Sequence, residues 1–129
     1  MTKNLTCIIC PMGCQLEVDL PDDWTEENMS TADPASFVVR GNTCPRGSAY
    51  AGKELTNPER TLTCTVAVTG SSRPVVSAKT RGEVPKAMLL ECMEVVRRTT
   101  VKGPVHAGDV LIKDILETGV DLIAGEDAV

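Results

Sequence analysis

Cys7, Cys10, Cys14 and Cys44 are the residues of this chain whose type and spacing point most directly to chemistry. Three sit in one stretch, Cys7-Ile8-Ile9-Cys10-Pro11-Met12-Gly13-Cys14, and the fourth follows after a gap of 29 residues in Cys44-Pro45-Arg46-Gly47. A 4Fe–4S cubane takes one thiolate on each iron corner. A tight loop reaches three corners, the fourth comes from elsewhere, and a cysteine followed by proline is common there. The competing metal is zinc, which holds a fold together from four ligands in a tetrahedron, often offered as two paired knuckles. Here the second half supplies a lone cysteine rather than a pair, and that spacing favours the cubane.

The residues around these thiols suit such a centre. Gly13, Gly41 and Gly47 flank the cysteines and allow the backbone to turn its amides inward. Arg46 follows the last cysteine directly, so its charge is expected beside a cluster of net negative charge, where charge and hydrogen bonds tune the potential. Cys7-Ile8-Ile9-Cys10 also has the spacing of a thiol redox pair, but no thioredoxin-like strand and helix follow it. Cys64 and Cys92 fall on apolar faces of a strand and a helix and read as small buried hydrophobes. His106, the only histidine, has no acid or nucleophile beside it in sequence and reads as a surface residue.

The elements that must position the four thiols are legible in outline. Gln15 to Leu20 alternates apolar and polar residues, as a half-buried strand does. Phe37 to Arg40 reads as its antiparallel partner, which brings the two cysteine segments to one end of a hairpin. Between the strands lies an acidic, proline-bounded excursion, expected to be a solvated loop, in which Trp24 suggests an exposed interface anchor. A short helix is expected over Ser48 to Leu55, broken by Asn57-Pro58. The first module, residues 1–57, is small enough that a metal staple would help it fold.

Residues 58–129 read as a small α+β domain. Leu62, Cys64, Val66 and Val68 share one face of a strand, and Gly70 to Arg73 turn the chain into a return strand, Pro74 to Lys79. Pro85 suits the first turn of a helix. Met88, Leu89, Cys92, Met93 and Val96 form its apolar stripe. Val105 to Ile112, apolar at Val110-Leu111-Ile112, and Gly119 to Ala124 read as a short C-terminal strand pair. The fold class expected is therefore α+β, a cysteine-rich β-hairpin metal module followed by a second β-hairpin packed with one helix and that strand pair.

Composition limits the function classes. The chain has 129 residues, net charge −5 and one each of Trp, Tyr and Phe. Its core must be aliphatic, and its charge argues against nucleic acid or an anionic membrane surface as partner. No stretch approaches the roughly 20 apolar residues of a membrane span. No secretory leader is evident, which suggests a cytoplasmic location and argues against a disulfide framework. No phosphate loop, dinucleotide fingerprint or hydrolase triad is present.

The spacing from Cys7 to Cys44-Pro45-Arg46-Gly47 resembles the N-terminal 4Fe–4S segment of molybdopterin oxidoreductases. There the four matching cysteines bind the cluster, and a basic residue after the last one, here Arg46, lies toward the pterin. Only about 45 residues take part, and the large catalytic domains have no counterpart. Over nearly its whole length the chain is similar to the DUF1667 family of small bacterial and archaeal proteins. The likeness rests on Leu5 to Cys14, Gly41 to Gly47, Asn57-Pro58-Glu59-Arg60 and the ending from Gly108 to Ala124. It implies an accessory redox subunit of a flavin-dependent oxidoreductase, including the anaerobic glycerol-3-phosphate dehydrogenase type. The acidic excursion around Trp24 departs from that family pattern. An adaptor held by zinc, without redox work, is the alternative function.

Overall fold

The computed structural model describes residues 1–129 and is α+β, with ten short strands and two α-helices. The chain divides into two compact units, Met1–Pro58 and Glu59–Val129. No helix is long and apolar enough to cross a membrane.

The first unit is a three-stranded antiparallel sheet, β1 (Thr2–Thr6), β2 (Gln15–Asp19) and β3 (Val38–Arg40), in the order β1-β2-β3. The expected pair is β2 and β3, in register from Glu17 against Arg40 to Asp19 against Val38. The extra strand, β1, runs against the other edge of β2, with Thr6 opposite Gln15. It forms because the cysteine stretch between β1 and β2 is itself a hairpin loop, closed by a hydrogen bond from the Cys7 N–H to the Cys14 carbonyl at 2.8 Å. One sheet face buries Leu16 and Val18 with Leu20, Trp24, Phe37, Ala51 and Leu55. At about 25 cal/mol per Å² of apolar area, a Leu or Val buried this deeply contributes roughly 1.5–3 kcal/mol.

Trp24 overturns the expectation of an exposed anchor. It is 4% exposed, part of the core, and its indole N–H donates to the Leu55 carbonyl at 2.8 Å. The acidic excursion is therefore folded around this side chain, with two short 3-10 turns, Met29–Thr31 and Pro34–Ser36. The Asp33 carboxylate caps the second turn by accepting from the Ala35 N–H at 2.9 Å.

Helix α1 spans Pro45–Glu54, beginning three residues before the expected start. Pro45 is in the first turn, where its missing N–H has no partner to lose and its fixed φ suits the helix. Cys44, extended at φ −146° and ψ 165°, is the residue from which the helix springs.

The second unit is built on a five-stranded sheet in the order β8-β5-β6-β10-β9. Its members are β5 (Thr63–Thr69), β6 (Val75–Thr80), β8 (Thr100–Lys102), β9 (Val110–Ile112) and β10 (Leu122–Ala124). β5 and β6 form the expected hairpin, and β9 and β10 are the expected C-terminal pair, joined to β6 through β10, although β9 takes only the last three residues of the stretch expected from Val105 to Ile112. The two-residue strands β4 (Glu59–Arg60) and β7 (Val84–Pro85) form a separate ribbon. Helix α2, Leu89–Arg97, follows a 3-10 turn over Lys86–Met88, and the chain then returns to β8, parallel to β5. Pro85 thus stands ahead of the 3-10 turn rather than inside α2. The apolar stripe of α2 is placed as expected: Cys92 and Val96 are buried with Val66, Val76 and Leu122, and Met88, Leu89 and Met93 pack against them.

Candidate metal centre

The two cysteine segments meet because β2 is central. The β1–β2 loop delivers Cys7, Cys10 and Cys14 to one end of the sheet, and β3 runs antiparallel and exits at that same end. Gly41 then carries the chain across the Gln15 backbone at φ +90°. A Cβ there would stand 2.2 Å from the Gln15 carbonyl oxygen, so only glycine permits the crossing. Asn42 holds the following bend by donating its side-chain amide to the Cys44 carbonyl at 3.0 Å. Gly47, in the first turn of α1, leaves space that Asn42 fills, since a Cβ on it would lie 2.8 Å from the Asn42 Cβ.

Cys7, Cys10, Cys14 and Cys44 line one cleft, together with Ile9, Asn42, Thr43, Arg46 and Gly47. All four thiols are free of disulfides, Cys7 buried and the other three partly exposed. Arg46, also singled out from sequence, lies at this cleft. Thr43 was not, because a threonine beside a cysteine carries no signal until the backbone turns it toward another one.

Two thiols feel polar groups that favour the thiolate. Cys14 Sγ lies 3.3 Å from the Thr43 hydroxyl. That hydroxyl first, and the Thr43 backbone N–H second, hold the Cys14 pKa below the ordinary thiol value, against burial and the neighbouring charge of Cys44. Cys44 makes no side-chain capping bond to its helix. Donors nevertheless face it, the Arg46 guanidinium foremost and then the backbone N–H groups of Arg46 and Gly47, and they lower its pKa too. The foremost pull on Cys44 is thus that of the Arg46 side chain rather than of a well-formed cap. In return Arg46 is stabilised as a cation by Cys44 first and then by Cys10 and Cys7. One guanidinium therefore acts on three of the four thiols.

The donor chemistry fits a thiophilic metal centre: four unpaired thiols, hydrogen-bond donors turned to the sulfurs, and one positive charge against the thiolates. The spacing is less complete. No group of three or more His, Cys, Asp or Glu side chains is arranged to hold a metal ion as it stands. The cleft between the thiols is narrow, about 10 Å³, about the room of a single water. A cluster would have to part the loop from the helix start.

The remaining sequence candidates lie elsewhere. Cys92 is buried on the core-facing side of α2 and Cys64 packs against the same core. Burial raises the thiol pKa of both, with Glu91 adding to the effect at Cys92. His106 is exposed, with its Nδ1 4.0 Å from Asp127.

The chain matches DUF1667, described as a protein of unknown function, over residues 45–126. The match starts directly after Cys44, so the likeness of the four-cysteine motif to the molybdopterin oxidoreductases rests on its spacing alone. An NMR structure of the Clostridium perfringens protein CPE0013 is similar to this chain, with a TM-score of 0.51 and 31% identity, over 54% of this chain and 84% of that one. No curated protein matches.

Proposed function

The chain belongs to the DUF1667 family, and we propose that it is an accessory electron-transfer protein holding a 4Fe–4S cluster on Cys7, Cys10, Cys14 and Cys44. The observation that carries this reading is the convergence of all four thiols on one cleft from two segments of chain. When bound, such a cluster takes up and releases single electrons without a proton. The chain's own residues would anchor it and set its surroundings. The Thr43 hydroxyl, 3.3 Å from Cys14 Sγ, would donate to that sulfur once it is a thiolate ligand, and Arg46 would offset the negative charge gathered at three of them. No nucleophile with an adjacent base accompanies the site, which favours a carrier over an independent catalyst. The partner proposed is a flavin-dependent oxidoreductase, including the anaerobic glycerol-3-phosphate dehydrogenase type, and a cytoplasmic setting would keep the thiols reduced.

A second reading has one observation in its favour. The narrow cleft suits a single small ion better than a cubane, and four cysteines are a full tetrahedral set for zinc. The protein would then be a structural adaptor.

Iron, sulfide and zinc analysis of protein purified without oxygen separates the two. The cluster reading expects about four iron and four sulfide per chain and a brown colour bleached by dithionite. One zinc per chain and no colour would replace it with the adaptor.

A further inference from the structure

Cys7 and Cys14 stand directly opposite each other in the first sheet. β1 and β2 are in register as far as Thr6 against Gln15, and the Cys7 N–H donates to the Cys14 carbonyl at 2.8 Å. The ladder therefore runs one step past the strand ends, and these two cysteines are its last pair. The same register sets Leu5 against Leu16. Side chains alternate along a strand, so Leu5, Cys7, Cys14 and Leu16 share the core-facing side. Burial agrees: Cys7 and Leu16 belong to the core, and Leu5 and Cys14 pack against it.

Two cysteines opposed in this way can be joined. The Cα atoms of a hydrogen-bonded antiparallel pair lie about 5.5 Å apart, inside the roughly 4.4–6.8 Å that a disulfide spans. Their Cβ atoms lie about 4.5–5.5 Å apart, at or past the upper end of the roughly 3.5–4.5 Å of a relaxed disulfide. The bond would form under some strain, and strained disulfides are the readily reduced, regulatory kind. Cys10 lies within the loop and Cys44 at the start of α1, and the sheet pairs neither with another of the four cysteines.

The fold as it stands suits this bond better than a metal. No three of the thiols are arranged to hold an ion, and the space between them is about that of one water. A disulfide needs two sulfurs and no enclosed space. Access orders the pair, because Cys14 is partly exposed and Cys7 is buried. An oxidant in solution meets Cys14 first.

We infer that Cys7 and Cys14 form a reversible disulfide, with Cys14 the attacking thiol, Cys7 the resolving one and a low-molecular-weight disulfide the oxidant. Cys14 Sγ leaves the Thr43 hydroxyl, 3.3 Å away, and attacks one sulfur of oxidised glutathione. The product is a mixed disulfide on Cys14 and one reduced glutathione. Cys7 then attacks the Cys14 sulfur, closing the bridge and releasing the second reduced glutathione. The two electrons and two protons lost by the protein thiols leave on the two glutathione thiols. The bridge stands on the backbone pairing and not on the cluster reading. Its consequence does rest on that reading: two of the four proposed ligands are withdrawn, and the site cannot load until the bridge is reduced.

The metal-free full chain, reduced and freed of reductant without oxygen, is exposed to excess oxidised glutathione. It is then quenched with N-ethylmaleimide, digested with trypsin and mapped by tandem mass spectrometry. Four of the six cysteines should be alkylated, Cys10 and Cys44 among them, with Cys7 joined to Cys14. Dithiothreitol should restore all six. Cys7→Ser should stop at a glutathione adduct on Cys14, and Cys14→Ser should leave Cys7 free. The map of the wild type holds whether or not these variants fold. A bridge that includes Cys10 or Cys44, a lasting glutathione adduct on wild-type Cys14, or a bridge between chains overturns the inference. So does an equal yield of the same bridge in guanidinium chloride, which would take the fold out of the pairing. Iron uptake by the reduced chain is measured separately. No uptake removes the cluster reading while the mapped bridge stands, and uptake without a bridge removes the inference while the cluster reading stands.

Discussion

The Trp24 indole N–H donates to the Leu55 carbonyl at 2.8 Å, and both residues are buried. The bond ties the acidic excursion to the C-terminal end of α1, the helix that begins directly after Cys44. Lys3 reinforces it from β1, with Nζ 5.0 Å from the Trp24 ring centre and 3.2 Å from Glu26. The excursion is thus part of what holds the helix against the sheet.

Trp24→Phe keeps most of the apolar ring and removes the donor. The Leu55 carbonyl is then buried without that partner, which costs about 1–3 kcal/mol. Trp24→Ala adds a cavity and costs about 3–5 kcal/mol. Thermal unfolding followed by circular dichroism should rank wild type above Phe above Ala. A Phe variant as stable as the wild type would mean that the bond contributes nothing.

Sequence reading recovers what periodicity encodes and misses what contact decides. β2 and β3 are legible because Leu16, Val18 and Leu20 alternate with polar residues and bury one face. β1 is not, because in Thr2-Lys3-Asn4-Leu5-Thr6 only Leu5 is apolar and packs against the core. β8 is three residues long and exists through its parallel register with β5, which no local pattern announces. Trp24 is misleading because its neighbours are acidic, although its own burial follows from Leu55, 31 residues away. The cysteine set is legible from spacing alone, but the Thr43 hydroxyl beside Cys14 depends on the crossing at Gly41.

That crossing makes Gly41 the most sensitive backbone position near the thiols. Gly41→Ala would impose both the positive φ and a clash with the Gln15 carbonyl, where the ideal Cβ stands at 2.2 Å. Left-handed strain alone costs about 1–3 kcal/mol, and the clash adds to it. The variant should melt well below the wild type and hold less iron after reconstitution. Gly13→Ala is the control. Its φ is +62°, yet nothing lies within 4 Å of the added Cβ, so the penalty there should be the smaller.

Thiol reactivity in the metal-free protein should follow the local electrostatics. The thiolate is the nucleophile, and Cys14 and Cys44 have lowered pKa values while those of Cys64 and Cys92 are raised. Timed alkylation with iodoacetamide at pH 7.5, about one unit below an ordinary thiol pKa, should label Cys14 and Cys44 first. Thr43→Val should slow Cys14 by removing its foremost donor, and Arg46→Gln should slow Cys44. The sign for stability follows from the same shifts. A lowered folded-state pKa makes these thiolates stabilising above the unfolded thiol pKa, and that contribution is lost as pH falls through the folded value. Faster labelling of Cys64 or Cys92 would contradict the assignment.

Replacing cysteines one at a time separates ligands from packing. Cys14→Ser keeps the size and hydroxyl-like polarity of the site but removes a thiolate, so anaerobically reconstituted protein should lose most of its iron with little change in the melting temperature of the metal-free form. Cys92→Ala does the reverse. Cys92 is inaccessible and packed with Val66 and Val96, so the substitution should leave iron content intact. It should lower stability by about 1 kcal/mol, as removal of one buried heavy atom from a close-packed core does. Cys64→Ala should cost less, because that residue is only partly buried. Iron lost on Cys92→Ala without loss of fold would mean that the second unit supplies a ligand. Iron retained in Cys14→Ser would mean that three thiols suffice, and the assignment of one cysteine to each corner would have to be abandoned.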